Sequence, residues 1–263
     1  MPRGTCHGGQ GTESVIRHVK LDHSKTKCSF FVQRRSTAMQ NLSEEAKNIC
    51  QNIYEETRKY YSEITETLGE HALGFRILYG PPVVDAPFLF IGYQPGGRGI
   101  DCAAHHNTWP EVSDYVTQNW PLAKQVRSIW GLDVVERCTG LNVIFFRAPS
   151  VAAWNKIAKP LRQKLENFSR QHTEQIVRAL RPKCLIVIGL GTFDWLTEGK
   201  PSLYGEKGRV LTRKGTLWNC EAIGTVHLSG SRISRADREH LRAYFAAIQT
   251  PQALRQTQEG YAP

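Results

Sequence analysis

The sequence predicts an α/β protein, a three-layer α/β/α sandwich around a mostly parallel central sheet. Three observations predict it. Short apolar runs recur along the chain, separated by stretches in which apolar residues return at helical spacing, the alternation expected when helices cover a sheet. Residues 184–190 (CLIVIGL) are apolar at almost every position, as in a parallel strand buried on both faces. With 263 residues, 40% of them hydrophobic, there is material for one sizeable core and too little length for more than two domains.

The elements follow in order. Residues 1–38 hold seven basic residues and two acids with little periodicity, which predicts a loosely ordered basic arm. One domain is expected over 39–250 and a tail over 251–263. Ser43 before Glu44 and Glu45 reads as a helix cap with acids in the first turn. Behind it Ala46, Ile49, Cys50, Ile53, Tyr54, Tyr61, Ile64 and Leu68 recur at helical spacing up to Gly69. The other face carries Glu55, Glu56, Glu63 and Glu66, so it should point away from any bound polyanion. Strands are expected over 75–79 and 88–93, the second stopped by Gln94-Pro95-Gly96-Gly97. A short helix over 122–130 and a strand over 137–146 come next. One long helix is expected from Trp154 through Leu161, Leu165, Phe168 and Ile176 to Leu180, ended by Pro182. Strands over 184–190 and 218–227 and a helix over 236–248 complete the set. No repeat or internal linker interrupts the domain.

Composition narrows the function classes. Lys+Arg 34 against Asp+Glu 24 leaves a net charge of +10, which favours polyanionic partners because each neutralised phosphate releases counterions. No apolar run approaches the roughly 20 residues of a membrane span, and the first residues lack a secretory leader's apolar stretch. A soluble, cytoplasmic protein is therefore expected, nucleoid-associated in a bacterium; a monomer is expected as well. The seven cysteines are scattered with no CxxC pair, so reduced thiols are expected and neither a zinc nor an iron–sulfur site is. His105-His106 lacks a third ligand at a convincing spacing.

Ligands of open α/β sheets bind beyond the carboxyl ends of the strands. Three such segments stand out. Gly92-Tyr93-Gln94-Pro95-Gly96-Gly97 lets backbone N–H groups approach a ligand closely. Residues 139–149 (TGLNVIFFRAP) bury an amide, Asn142, in an apolar strand, where it needs a partner. Residues 225–231 (TVHLSGS) place His227 at a strand end before a Ser/Gly loop.

In this order, the segments resemble the uracil-DNA glycosylase superfamily over about 60% of the chain, from Phe88 to Phe245. GYQPG is similar to its first motif, TGLNVIFFRAP to the strand carrying the base-reading Asn, CLIVIGLG to the next core strand, and HLSGS to the H-P-S loop. The chain departs from the pattern too. Leu228 replaces the motif's proline, Gln94 the water-positioning acid, and Gly96 the aromatic that excludes thymine. No iron–sulfur cysteines accompany the motifs.

The resemblance implies a monofunctional, cofactor-free glycosylase that hydrolyses the N-glycosidic bond of uracil, or a related deaminated base, in DNA for base-excision repair. Such an enzyme must extrude its target nucleotide. Asn142 would read the flipped base, with Tyr93 and Gly96 in the same pocket and Trp109 as stacking face in preference to His106. His227 would donate to the base O2 as negative charge develops there. Gln94 would orient water, with Asp101 as the nearest acid able to take a proton. Ser229, Ser231, Arg232 and Arg235, with Arg238, would meet the DNA, and Arg232 or Ile233 would fill the gap left by the flipped base. Two alternatives stand beside this reading. One is a catalytically weak binder of abasic or damaged DNA with the same fold. The other is a nucleotide-binding enzyme using Gly189-Leu190-Gly191, which lacks the third glycine of a dinucleotide fingerprint.

Overall fold

The computed structural model describes residues 23–97, 108–229 and 233–249, with side chains from residue 39 onward. The chain falls into two compact units, Met1–Gln40 and Asn41–Pro263. The sheet belongs to the second.

Six strands form one sheet: β1 (Leu89–Gly92), β2 (Thr139–Asn142), β3 (Leu185–Ile188), β4 (Gly199–Tyr204), β5 (Val210–Leu217) and β6 (Cys220–Thr225). Their spatial order is β2-β1-β3-β6-β5-β4. The first four in that order run parallel, while β5 and β4 are antiparallel additions at one edge. Eight α-helices accompany them among the described residues: α1 (His23–Leu68), α2 (Asp114–Thr117), α3 (Pro121–Trp130), α4 (Leu132–Val135), α5 (Val151–Trp154), α6 (Lys159–Leu180), α7 (Leu190–Leu196) and α8 (Arg235–Gln249). None is long and apolar enough to cross a membrane.

Period-2 alternation in the strands separates two cores. Leu89, Ile91, Leu185 and Val187 face a layer built from α1, α6 and α7 through Cys50, Ile53, Tyr54, Leu165, Ile176 and Phe193. Phe88, Phe90, Ile186 and Ile188 face the other way, onto Val126, Ile129 and Trp130 of α3 and Leu241 and Phe245 of α8. The three-layer sandwich with a mostly parallel sheet is thus as the sequence predicts.

Several boundaries differ. Ser43 does not cap a helix: α1 already runs from His23. No Gly or Pro occurs between residues 23 and 68, so nothing forces the chain out of helix ahead of Ser43, and a cap acts only where that exit occurs. The backbone of 23–38 is therefore helical rather than a loose arm; residues 1–22 and 250–263 lie outside the described set. The four glutamates of the α1 polar face are exposed. Residues 75–79 form no regular strand; single bridges join Leu78 to Leu141 of β2 and Phe75 to Phe146 in the segment after it. The long helix expected from Trp154 is two, because the chain breaks after α5 and restarts with Pro160 in the first turn of α6.

The β4–β5 hairpin and α7 have no counterpart in the sequence reading, since KPSLY and VLTRKGTL lack a continuous apolar face. Trp218 and Asn219 do not begin the last strand. Both have positive φ (51° and 62°) and form the two-residue turn between β5 and β6, the geometry that tight hairpins require.

Candidate functional site

The register of the sheet builds the site. Gly92 of β1 lies beside Asn142 of β2, Ile91 beside Val187 of β3, and Ile188 beside Thr225 of β6. The four parallel strands therefore end level with one another, and His227 follows two residues after Thr225. The chain passes from β1 outward to β2 and then returns across β1 to β3. That reversal of strand order opens a crevice at the carboxyl ends. A cleft of about 1180 Å³ occupies it, lined by Asn142, Tyr93, Gln94, Gly96, His227 and Ser229 among others. The amide, the imidazole and the glycine-bearing turn, far apart in sequence, line one cavity.

The segment after β2 holds the turn. Val143 N donates to Gly92 O (2.9 Å), Ile144 N to Tyr93 O (2.9 Å) and Ala148 N to Pro95 O (3.3 Å). The buried Arg147 adds a bond from Nη1 to Gly96 O (2.8 Å). Four carbonyls of the turn are tied to the segment that directly follows Asn142.

Asn142 is 2% exposed, and its Nδ2 donates to the Tyr79 hydroxyl at 2.9 Å. A Cβ on Gly92 would lie 2.7 Å from Asn142 Oδ1, so only glycine at position 92 leaves the amide where it is. Burial raises the Tyr79 pKa, opposed by its bond to Asn142 and by the charges of Arg147 and Arg76. The hydroxyl stays protonated at neutral pH. Arg76 lies over the Tyr79 ring, 5.4 Å from its centroid, and pairs with Asp114. Asp114 is the one carboxylate among the described lining residues, and this pairing occupies it.

His227 stands at the rim. Desolvation by burial lowers its pKa below the usual imidazole value, so the ring is neutral at pH 7. Its Nδ1 is 3.2 Å from Ser229 Oγ. Either ring tautomer can make that contact, and the Cδ2 edge of the ring lies toward Gly189. Gln94 Oε1 is buried with no hydrogen-bond partner among the described residues. A buried acceptor in that state is ready for a water or ligand donor. The cleft is thus lined by a fixed amide, an imidazole and the Gln94 side chain, beside two arginines.

Other expectations fare differently. Trp109 is not among the lining residues: it packs against the first core, edge-on to Tyr54 at 5.3 Å. An indole that finds an aromatic partner in a core is a structural side chain, and residue type alone does not distinguish the two uses. Ile233 is partly buried and packs against the second core. Arg235 is exposed at the start of α8, outside the lining set. Asp101, His105, His106, Ser231 and Arg232 lie outside the described residues. The cysteines Cys50, Cys138 and Cys184 are buried, and burial pushes the Cys50 thiol up to about 12. No group of three His, Cys, Asp or Glu suited to a metal occurs among the described residues. Gly189 and Gly191 line the same cleft, so the nucleotide-binding alternative has no separate site among them.

The sequence reading passed over Tyr79, Arg76, Asp114, Arg147, Trp120 and Trp195, all of which line the cleft. Arg147 carried a signal, since a charge directly after the apolar run NVIFF must either exit the core or serve it. The others had none, because their partners are remote in sequence.

Comparison with known proteins returned no match, neither to a protein-family model nor to a curated protein.

Proposed function

We propose that this protein is a monofunctional DNA glycosylase that removes uracil, or a related deaminated base, from DNA by hydrolysing the N-glycosidic bond. The observation that carries the reading is the convergence of Asn142, His227 and the Tyr93–Gly97 turn on one cleft at the strand ends. A fixed amide suits uracil, accepting from N3–H and donating to O4. Cytosine presents the reverse pattern and would leave buried polar groups unpaired.

Departure of the base puts negative charge on it and positive charge on the sugar. The place of the His227 imidazole in the cleft lining supports the role of donor to the base O2, where charge accumulates. The unsatisfied Gln94 Oε1 supports the role of water holder. An amide takes no proton, but a sugar cation is reactive enough that attack needs orientation more than a base. Among the described residues no atom lies within 4 Å of where a Cβ on Gly96 would stand, which supports room beside C5 of the base and a range that extends to 5-substituted uracils. No lysine lines the cleft among the described residues, in keeping with hydrolysis rather than a Schiff base.

A second reading, a binder of abasic or damaged DNA, is favoured by one observation: the single carboxylate of the described lining, Asp114, is engaged by Arg76. One experiment separates the two. The protein is incubated with an oligonucleotide bearing a single uracil and the product is heated in alkali. Strand breakage at the uracil supports the glycosylase; retention in a gel without breakage supports the binder.

A further inference from the structure

Two aromatic pairs border the cleft, and each is built the same way. Tyr93 packs against the first core and meets Trp195 edge-on at 5.6 Å. Tyr79 packs against the second core and meets Trp120 edge-on at 5.8 Å. In each pair the tyrosine is the inner member: Tyr79 holds Asn142, and Tyr93 begins the glycine turn. The outer tryptophans remain 38% and 36% exposed, although both line the cleft. A large indole left one-third in water forgoes burial that neighbouring core positions obtain in full. Arg170 lies 5.7 Å from the Trp195 ring centroid, adding a cation beside that platform.

The cleft is also larger than one base requires. Its volume of about 1180 Å³ exceeds the roughly 300–1,000 Å³ of pockets that enclose a whole small molecule.

We infer that Trp195 and Trp120 are stacking subsites for the nucleobases that flank the one held at Asn142. The occupant of the cleft is then a single DNA strand of several nucleotides, entered with its bases splayed. This rests on the glycosylase reading for the identity of the central base and extends it to the neighbours. Stacking is tolerant of sequence because every base presents a π-face, so the subsites would set affinity for the strand and leave the choice of central base to Asn142. In a closed duplex the flanking bases are stacked on their own neighbours and withhold those faces.

The test uses the full chain and an unmodified oligothymidylate, which contains no excisable uracil, so binding is read apart from catalysis. Tryptophan fluorescence and anisotropy are followed against this strand and against the same strand annealed to its complement. The expected result is tighter binding of the single strand with quenching. Trp195→Ala and Trp120→Ala each weaken it by about tenfold, the scale of one lost base stack, while Trp195→Phe and Trp120→Phe restore most of the affinity. Equal or tighter binding of the duplex, or alanine variants that bind like the parent, would overturn the inference. Loss of uracil excision with single-strand binding intact would strike the glycosylase reading and leave the subsites standing.

Discussion

The side-chain amide of Asn142 is held by the hydroxyl of Tyr79, 2.9 Å from Nδ2 and 63 residues away in the chain. The bond links β2 to the irregular segment along its outer edge, and it selects one orientation of an amide that would otherwise rotate. An amide that reads a base by donor and acceptor pattern needs that restraint. Tyr79→Phe removes this partner, leaves the longer contact of Nδ2 with Arg76 O (3.5 Å), and keeps the ring against Trp120. The expected cost in stability is about 1 kcal/mol, typical of one hydrogen bond, and preference for uracil over cytosine should fall roughly tenfold or more. Base release from paired uracil and cytosine oligonucleotides measures the preference, and an unchanged ratio counts against the role of Tyr79.

Gly92 sets the other side of that amide. A methyl group there would press on Asn142 Oδ1, and the easiest relief is for the amide to swing off Tyr79. Gly92→Ala should lose about a hundredfold in kcat/KM, the scale of an ångström-sized misplacement, with a stability loss of only about 1–3 kcal/mol. Steady-state kinetics and a melting curve together check this. Full activity would mean that the amide does not face the substrate.

His227 gives a pH prediction. Its folded-state pKa lies below the usual value near 6.5. As pH falls through that usual value the unfolded chain takes up a proton that the folded chain declines, so stability falls between there and the depressed folded value. His227→Asn should flatten this part of the curve of Tm against pH, though only modestly for a rim side chain. The same substitution, or His227→Ala, should slow base release by about tenfold or more while DNA binding persists. A mutant as fast as the parent removes His227 from the chemistry.

Phe193 anchors α7, and with it Trp195, onto bare sheet. A Cβ on Gly224 would come within 2.4 Å of the Phe193 side chain, one on Gly199 within 2.5 Å, and one on Gly215 within 3.3 Å. These three glycines lie on β6, β4 and β5 and make a floor for one ring. Gly224→Ala should destabilise the protein by about 1–3 kcal/mol through overpacking, and Phe193→Ala by about 3–5 kcal/mol through the cavity left behind. Chemical denaturation reads both. A neutral Gly224→Ala would show that α7 rides on something else.

Much of this architecture is legible in the sequence, for local reasons. The strands β1 and β3 announce themselves because burial on both faces demands continuous apolar residues, and α3 and α8 because one apolar stripe repeats at helical spacing. Strand ends are also local features, which is why Asn142, His227 and the Tyr93–Gly97 turn could be picked out before their convergence was known. What the sequence hides is pairing at a distance. Tyr79 with Asn142 and Arg76 with Asp114, 38 residues apart, leave no trace in either segment. Trp109 misled because a core indole and a base-stacking indole look alike in a string of letters. The β4–β5 hairpin escaped because both strands show water many of their side chains and lose the apolar signature.

The convergence of amide, imidazole and turn means something chemical only if a free base leaves the DNA. The decisive measurement is therefore chromatographic detection of uracil released from a defined oligonucleotide by the intact protein, alongside Asn142→Asp, whose carboxylate repels the O4 acceptor. The account predicts release of uracil by the parent and loss of uracil preference in the variant. No base released from any deaminated substrate, or equal release of uracil by parent and variant, would contradict it.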